Sequence, residues 1–400
     1  MSLAPVPDEP GDALADAIRR RAGSGAAALA DVRAVVRFEA GPLARCSVAL
    51  RDGVVRILLG NPKATTVVSS DLATLLDVVE GRTSGVAAFL DSRLRVDGDL
   101  SLSLRLDSVF TGERPARFPR SAMVDAGGLR TFHLDAGPLD GVPIVGLHGL
   151  GATNASLLPC VWDLAQDYRV LAPDLPGHGA SAAPRGRYDA PFFARWFVAY
   201  LDEIGVDRAV LLGNSLGGRV ALEVAMLVPD RIRGLALLAP AMAFRRLRQL
   251  VPAVRLARPE LAAIPLPVSR SVVRLAIRLM FAHPTRLTAQ SYDAAAGEFV
   301  RVFRRPAYRI AFFSAMRQIY LDDAFGVEGF WRRLPSLDLP ALFIWGARDR
   351  LVPAGFARHV TDAMPHAHSV VFEDCGHVPQ FELPERTHAE IRAFVHTLPA

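Results

Sequence analysis

The sequence predicts an α/β protein in which a mostly parallel central sheet carries a helical cap, preceded by a smaller α+β domain. Three observations predict it. Short apolar runs recur after residue 140, at Val142–Leu147, Ala209–Leu212, Ala341–Trp345 and Ser369–Phe372, and each runs into a polar turn rich in glycine; this is how buried strands read. One of these turns, Gly213-Asn214-Ser215-Leu216-Gly217-Gly218, is followed by an amphipathic helical stretch from Arg219 to Val228. The first 115 or so residues have a different texture, with alternating strand patterns and capped helices.

In chain order, a helix is expected from Asp12 to Arg21, followed by strands at Val32–Phe38 and Cys46–Leu50. An Asp52-Gly53 turn then leads into a strand at Val54–Leu59, and an Asp-Gly pair between alternating runs signals a hairpin. A strand at Ala64–Val68 precedes Ser70-Asp71, which caps a helix to Val79. A glycine-bounded helix at Gly85–Leu90 and a strand-to-helix step from Leu94 to Leu106 through Asp97-Gly98-Asp99 complete the set.

The stretch VVSSDLATLLDVVEGRTSGVAAFLDSRLRVDGDLSLSLRL, with the elements before it, resembles the sterol carrier protein type 2 family over about residues 10 to 110. The resemblance implies a five-stranded sheet covered by helices, enclosing an apolar tunnel for acyl chains, sterols or other lipids. It carries over no individual ligand residue, because a tunnel is recognised by its shape. The other reading is an α+β domain that only docks or dimerises. Thr111–Arg120 has proline, glycine and charge without periodicity and reads as a short linker. The expected domains are therefore 1–115, lipid-binding, and 116–400, with a cap at 240–335.

The second domain resembles the α/β-hydrolase superfamily, in the branch of serine esterases, lipases and carbon–carbon bond hydrolases. The resemblance covers about residues 121 to 400 and rests on ordered motifs: HGLG at 148, PDLPGHGAS at 173, GNSLGG at 213, WGARDRLVP at 345 and GHVPQFELPE at 376. Serine, aspartate and histidine in that chain order, each just past the carboxyl end of a strand, match the superfamily's triad.

The chemistry can be stated from the residues. A serine hydroxyl is a poor nucleophile at neutral pH, so a histidine must take its proton and a carboxylate must hold that histidine in the right tautomer. Ser215, His377 and Asp349 are the candidates. The oxyanion needs preorganised donors, and by position these are the N–H groups of Leu216, after the nucleophile, and Leu150, in the HGLG loop. Competing readings make Ser215 a mere turn residue, Asp349 a helix cap and His377 a surface histidine. His148 and His178 read as loop-packing residues, and Cys375 as a small buried thiol rather than a redox switch.

The expected function is hydrolysis of a carboxylic ester, lipid-like or long in its acyl part, by an acyl-enzyme on Ser215. The alternatives are a carbon–carbon bond hydrolase of the meta-cleavage type and a lipid carrier or sensor built on a hydrolase scaffold. The motifs also leave perhydrolase and acyltransferase chemistry open. Serine at the elbow argues against dehalogenases and epoxide hydrolases, which place aspartate there.

The net charge of +5 conceals an asymmetry: residues 240 to 335 hold 16 arginines against 6 acidic residues. Arg270, Arg274 and Arg278 fall on one helix face, suited to peripheral contact with anionic lipid, or simply to a solvated cap surface. Nucleic acid is not expected as a partner, since no compact basic motif is interleaved with aromatics. Three cysteines make no disulfide framework, and no apolar signal or membrane-spanning run is evident, so the expected location is cytoplasmic. No metal-ligand cluster or dinucleotide-binding loop is apparent and no cofactor is expected. The sequence leaves the oligomeric state open.

Overall fold

The computed structural model describes residues 10–22, 29–41, 44–110, 115–243, 254, 256, 258–265 and 267–399. By their contacts these residues form two compact units. The first comprises residues up to Ala122 together with Thr288–Glu298, and the second comprises Met123–Leu287 and everything from Phe299 onward.

The first unit is built on five strands, β1 (Arg33–Ala40), β2 (Ala44–Arg51), β3 (Val54–Leu58), β4 (Thr66–Ser70) and β5 (Arg95–Asp97), in the order β3-β2-β1-β4-β5. The hairpin at Asp52-Gly53 pairs Arg51 with Val54 and sets the register of β2 against β3. Asp71 caps the helix Leu72–Val79 by accepting the Thr74 N–H at 2.8 Å, and Asp99 caps Leu100–Val109 by accepting the Leu102 N–H at 3.0 Å. A helix at Pro10–Ala22 buries Leu14, Ala17 and Ile18. Of the sequence-derived linker, residues 111–114 lie outside the described part, Phe118 is buried, and a strand begins at Arg120.

Two boundaries differ from the sequence reading, the first being that this unit runs on to Ala122 rather than ending at 115. The stretch Thr288–Glu298, expected in the cap, belongs to the first unit. There Gln290 donates to the Leu94 carbonyl at 3.0 Å, and the buried Glu298 carboxylate accepts the Leu100 N–H at 3.2 Å. A helix pattern tells which residues share a face, not which body that face packs on.

The second unit is an eight-stranded sheet. Its strands are β6 (Arg120–Ala126), β7 (Leu129–Ala136), β8 (Pro143–Leu147), β9 (Arg169–Pro173), β10 (Ala209–Asn214), β11 (Ile232–Leu238), β12 (Ala341–Gly346) and β13 (His368–Phe372), ordered β13-β12-β11-β10-β8-β9-β7-β6. From β9 to β13 every pairing is parallel, whereas β7 runs antiparallel to β9. Every residue of β10 and β12 is buried, as a strand covered on both faces must be, and this is why they read as unbroken apolar runs.

Local polar bonds hold the helix Leu216–Leu227 in place. Arg219 is buried with its guanidinium 4.0 Å from the centre of the Phe330 ring; it bonds Glu223 at 2.9 Å and also pairs with Asp322. Arg333 bonds the same Glu223 at 2.9 and 3.2 Å. Burial pushes the Glu223 carboxyl up, but the two arginines outweigh it and hold the group below its ordinary range. Removing one partner would strand a buried charge, which typically costs about 3–5 kcal/mol. Among the described residues, no helix is long and apolar enough to cross a membrane.

Candidate active site

Ser215 sits between the end of β10 and the first residue of the helix Leu216–Leu227, with φ +54° and ψ −115°. This is the backbone of the first central residue of a type II′ turn, a conformation that otherwise belongs to glycine. A serine there stores roughly 1–3 kcal/mol of strain. Main-chain bonds hold it: the Ser215 N–H donates to Leu238, and the Ser215 carbonyl accepts from Arg219 and Ala241. The helix approaches β8 so closely that a Cβ on Gly217 would overlap the Leu147 carbonyl. That close approach is why the motif needs its glycine.

His377 and Asp349 meet. His377 Nδ1 lies 2.7 Å from Asp349 Oδ2, and both side chains are buried. The other oxygen, Asp349 Oδ1, accepts the N–H groups of Leu351 and Val352 at 2.7 and 2.9 Å. No helix starts here, the next beginning at Phe356, so Asp349 closes its own turn rather than capping a helix, and it also meets the histidine.

Two residues that the sequence reading left without a role brace the loop that carries His377. Asn214, next to the serine, donates through Nδ2 to the carbonyls of Leu238 and His377 at 2.9 and 3.3 Å. Glu382, wholly buried at its side chain, accepts N–H groups from Gly376 at 2.6 Å, Ala282 at 2.8 Å and His283 at 3.1 Å, while the His377 N–H donates to the Met280 carbonyl. Both lie inside quoted motifs, GNSLGG and GHVPQFELPE, but a motif does not say which backbone its side chains will reach.

The loop His148–Gly151 lies against the serine: a Cβ on Gly149 would stand 3.4 Å from Ser215 Cβ. Gly151 has φ +72°, and a Cβ there would come within 2.7 Å of the Phe299 ring and 2.9 Å of the Phe312 ring. Phe299, Phe303, Phe312 and Phe313 form a continuous aromatic cluster with ring centres 5.0–6.1 Å apart. The Leu216 N–H is at the first position of its helix, where backbone donors have no partner within the helix.

His148 and His178 are fully buried, their rings 5.2 Å apart. His148 Nε2 accepts the Leu175 N–H at 3.0 Å while Nδ1 faces the Gly149 carbonyl, so the side chain braces the loop. Burial pushes His148 down to about 3, and His133 and His178 each to about 4. Cys375 is buried and its thiol is pushed up to about 12, first by burial and then by Glu382, which suits an inert thiol. Among the described residues, no group of three or more His, Cys, Asp or Glu could hold a metal ion.

These three histidines make stability depend on pH. In the unfolded chain each takes a proton near 6.5; in the folded protein each takes one only near 3 or 4. Below 6.5 the unfolded state therefore binds more protons, so stability is full above that pH and is lost as the pH falls toward 4. Each histidine contributes a slope of about 1 kcal/mol per pH unit. His178→Asn, whose amide can still donate to the Pro176 carbonyl, should make the fall shallower by one histidine's share. Urea midpoints between pH 7 and pH 4 test this; parallel curves for the two proteins would refute it.

Residues 142–384 match the family model of the α/β hydrolase fold, and residues 14–111 match that of the SCP-2 sterol transfer family. The chain belongs to the α/β-hydrolase fold family and carries an amino-terminal SCP-2 sterol transfer domain. A relative in Pseudomonas putida, the dihydrolipoyllysine-residue acetyltransferase component of the acetoin cleaving system, is 30% identical over 86% of this chain and 85% of its own. The 2-hydroxymuconate semialdehyde hydrolase of Pseudomonas sp. strain CF600 is 30% identical over 64% of this chain and 87% of its own. Among solved structures, a membrane phospholipase A described as a bacterial virulence factor superposes with a TM-score of 0.59 at 26% identity, covering 81% of this chain and 96% of that one.

Proposed function

We propose that the protein hydrolyses carboxylic esters with a long acyl or otherwise hydrophobic portion, through an acyl-enzyme on Ser215. One observation carries this reading. A strained serine at a strand-to-helix turn neighbours Asn214, which bonds the backbone of a histidine whose Nδ1 meets a buried carboxylate.

Ser215 Oγ attacks the ester carbonyl carbon while His377 Nε2 takes its proton. The resulting oxyanion is held by the N–H groups of Leu150 and Leu216, each worth roughly 3 kcal/mol in the transition state. Asp349 keeps the His377 proton on Nδ1 and stabilises the imidazolium. Collapse expels the alcohol, which takes the proton from His377. Water, deprotonated by His377, then attacks the acyl-enzyme, and the second collapse releases the acid and returns the proton to Ser215.

Two things support a hydrophobic substrate. The Phe299 and Phe312 rings stand against Gly151 in the loop proposed to hold the oxyanion, and the chain carries a domain of a sterol transfer family. The 2-hydroxymuconate semialdehyde hydrolase relative favours a second reading, in which the same residues cleave a carbon–carbon bond.

The test is a series of p-nitrophenyl esters from acetyl to palmitoyl beside a meta-ring-cleavage product. If the reading holds, kcat/KM rises with chain length by up to about fourfold per methylene that reaches the aromatic wall, and Ser215→Ala removes the activity. Acetyl esters cleaved faster than octanoyl would refute the substrate preference. Turnover of the ring-cleavage product alone would establish the second reading, and no turnover dependent on Ser215 would favour a carrier on a hydrolase scaffold.

A further inference from the structure

The helix Arg270–Leu279 has three faces. Ser269 caps it, accepting the Val272 N–H at 3.3 Å. At 100° per residue, buried Val273 and partly buried Ile277 share the inward face. Arg270, Arg274 and Arg278 form one exposed flank. On the opposite flank Val272, Leu275 and Leu279 face solvent, at 64%, 59% and 49% exposure.

An ordinary surface helix has one apolar face and covers it; this one carries a second apolar face that is left outside. The residues before it do the same, for Leu256, Leu261 and Ile264 are exposed as well. Among the described residues, six of the fifteen exposed large apolar side chains therefore fall between positions 256 and 279. Scattered exposed leucines need no explanation, but three large apolar side chains on one face of a ten-residue helix are not scattered.

We propose that this helix docks the protein on an anionic lipid bilayer, its leucine flank entering the headgroup region and its arginines pairing with lipid phosphates. An apolar stripe flanked by arginine matches a helix that lies in the plane of an interface. A second copy of the chain fits less well, because an isologous contact would bring a second set of the same three arginines into the interface. Glu260 is the single acidic residue between positions 254 and 281. The helix runs directly into Met280–His283, which bonds the His377 loop, so docking would place the bilayer next to the segment that supports the proposed base.

The experiment is flotation of the full chain with vesicles of phosphatidylcholine alone and of phosphatidylcholine with phosphatidylglycerol, and it makes no use of catalysis. Binding is expected only with phosphatidylglycerol, and it should weaken at high salt. Replacing all three arginines with glutamine should weaken partitioning about a hundredfold. Leu275→Ser with Leu279→Ser should release the protein from the same vesicles. Both variants change exposed positions, and unfolding curves matching the parent establish that each is folded. Absence of flotation, equal flotation on neutral vesicles, or a dimer in solution that the serine variant dissociates would each overturn the proposal.

Discussion

Replacing Ser215 with glycine is expected to abolish ester turnover and, at the same time, to make the protein more stable. Loss of the proposed nucleophile should lower kcat by about 10⁶. Glycine also adopts φ +54° without a Cβ penalty, which releases most of the strain stored at the elbow. Part of that gain is offset by the larger entropy of glycine in the unfolded chain, leaving a net stabilisation of roughly 1 kcal/mol, or a rise of about 2 °C in Tm for a domain of this size. Ser215→Ala separates the two effects, because alanine removes the hydroxyl and keeps the Cβ: activity disappears while Tm stays near that of the parent. Calorimetry of the three proteins decides. A Ser215→Gly protein less stable than Ser215→Ala would mean that the serine backbone is not strained and that the sharp turn serves no purpose beyond connection.

That the elbow could be found in the sequence at all follows from the same backbone. A residue forced into a glycine conformation, with a helix packed onto the preceding strand, leaves glycines at 213, 217 and 218 as a permanent mark. The buried strands were legible because a sheet covered on both faces tolerates almost nothing but apolar residues, and the caps at Asp71 and Asp99 because a helix start needs an acceptor. Other features left no such mark. Nothing in the run from Thr288 to Glu298 indicates which unit it joins, since Gln290 and Glu298 reach backbone groups almost 200 positions away. Asn214 and Glu382 act through bonds to main-chain atoms of distant loops, and main-chain atoms carry no signature of their own. The contact of Phe299 and Phe312 with Gly151 depends on how the helical segment folds back, which the pattern of its apolar residues does not specify.

Asp349→Asn should separate the two tasks that the aspartate combines. In the parent, Oδ1 accepts two backbone N–H groups and Oδ2 meets His377 Nδ1. Asparagine has one oxygen, and the N–H groups of Leu351 and Val352 claim it, so the amide NH₂ must face His377. An NH₂ can only donate, which obliges Nδ1 to accept and moves the ring proton to Nε2. That is the nitrogen proposed to take the proton of Ser215, so the proposed base is blocked by tautomer alone, at a cost of about 10⁴ in kcat. The turn keeps its cap, and the fold should unfold at nearly the parental temperature. Asp349→Ala, by contrast, leaves both buried N–H groups without a partner and should cost roughly 1–3 kcal/mol for each. Nitrogen chemical shifts of the His377 ring read the tautomer directly: protonated Nδ1 in the parent, protonated Nε2 in Asp349→Asn. If the variant keeps the parental tautomer and full turnover, Asp349 is only the cap of its own turn, and the carboxylate that orients His377 must be sought elsewhere.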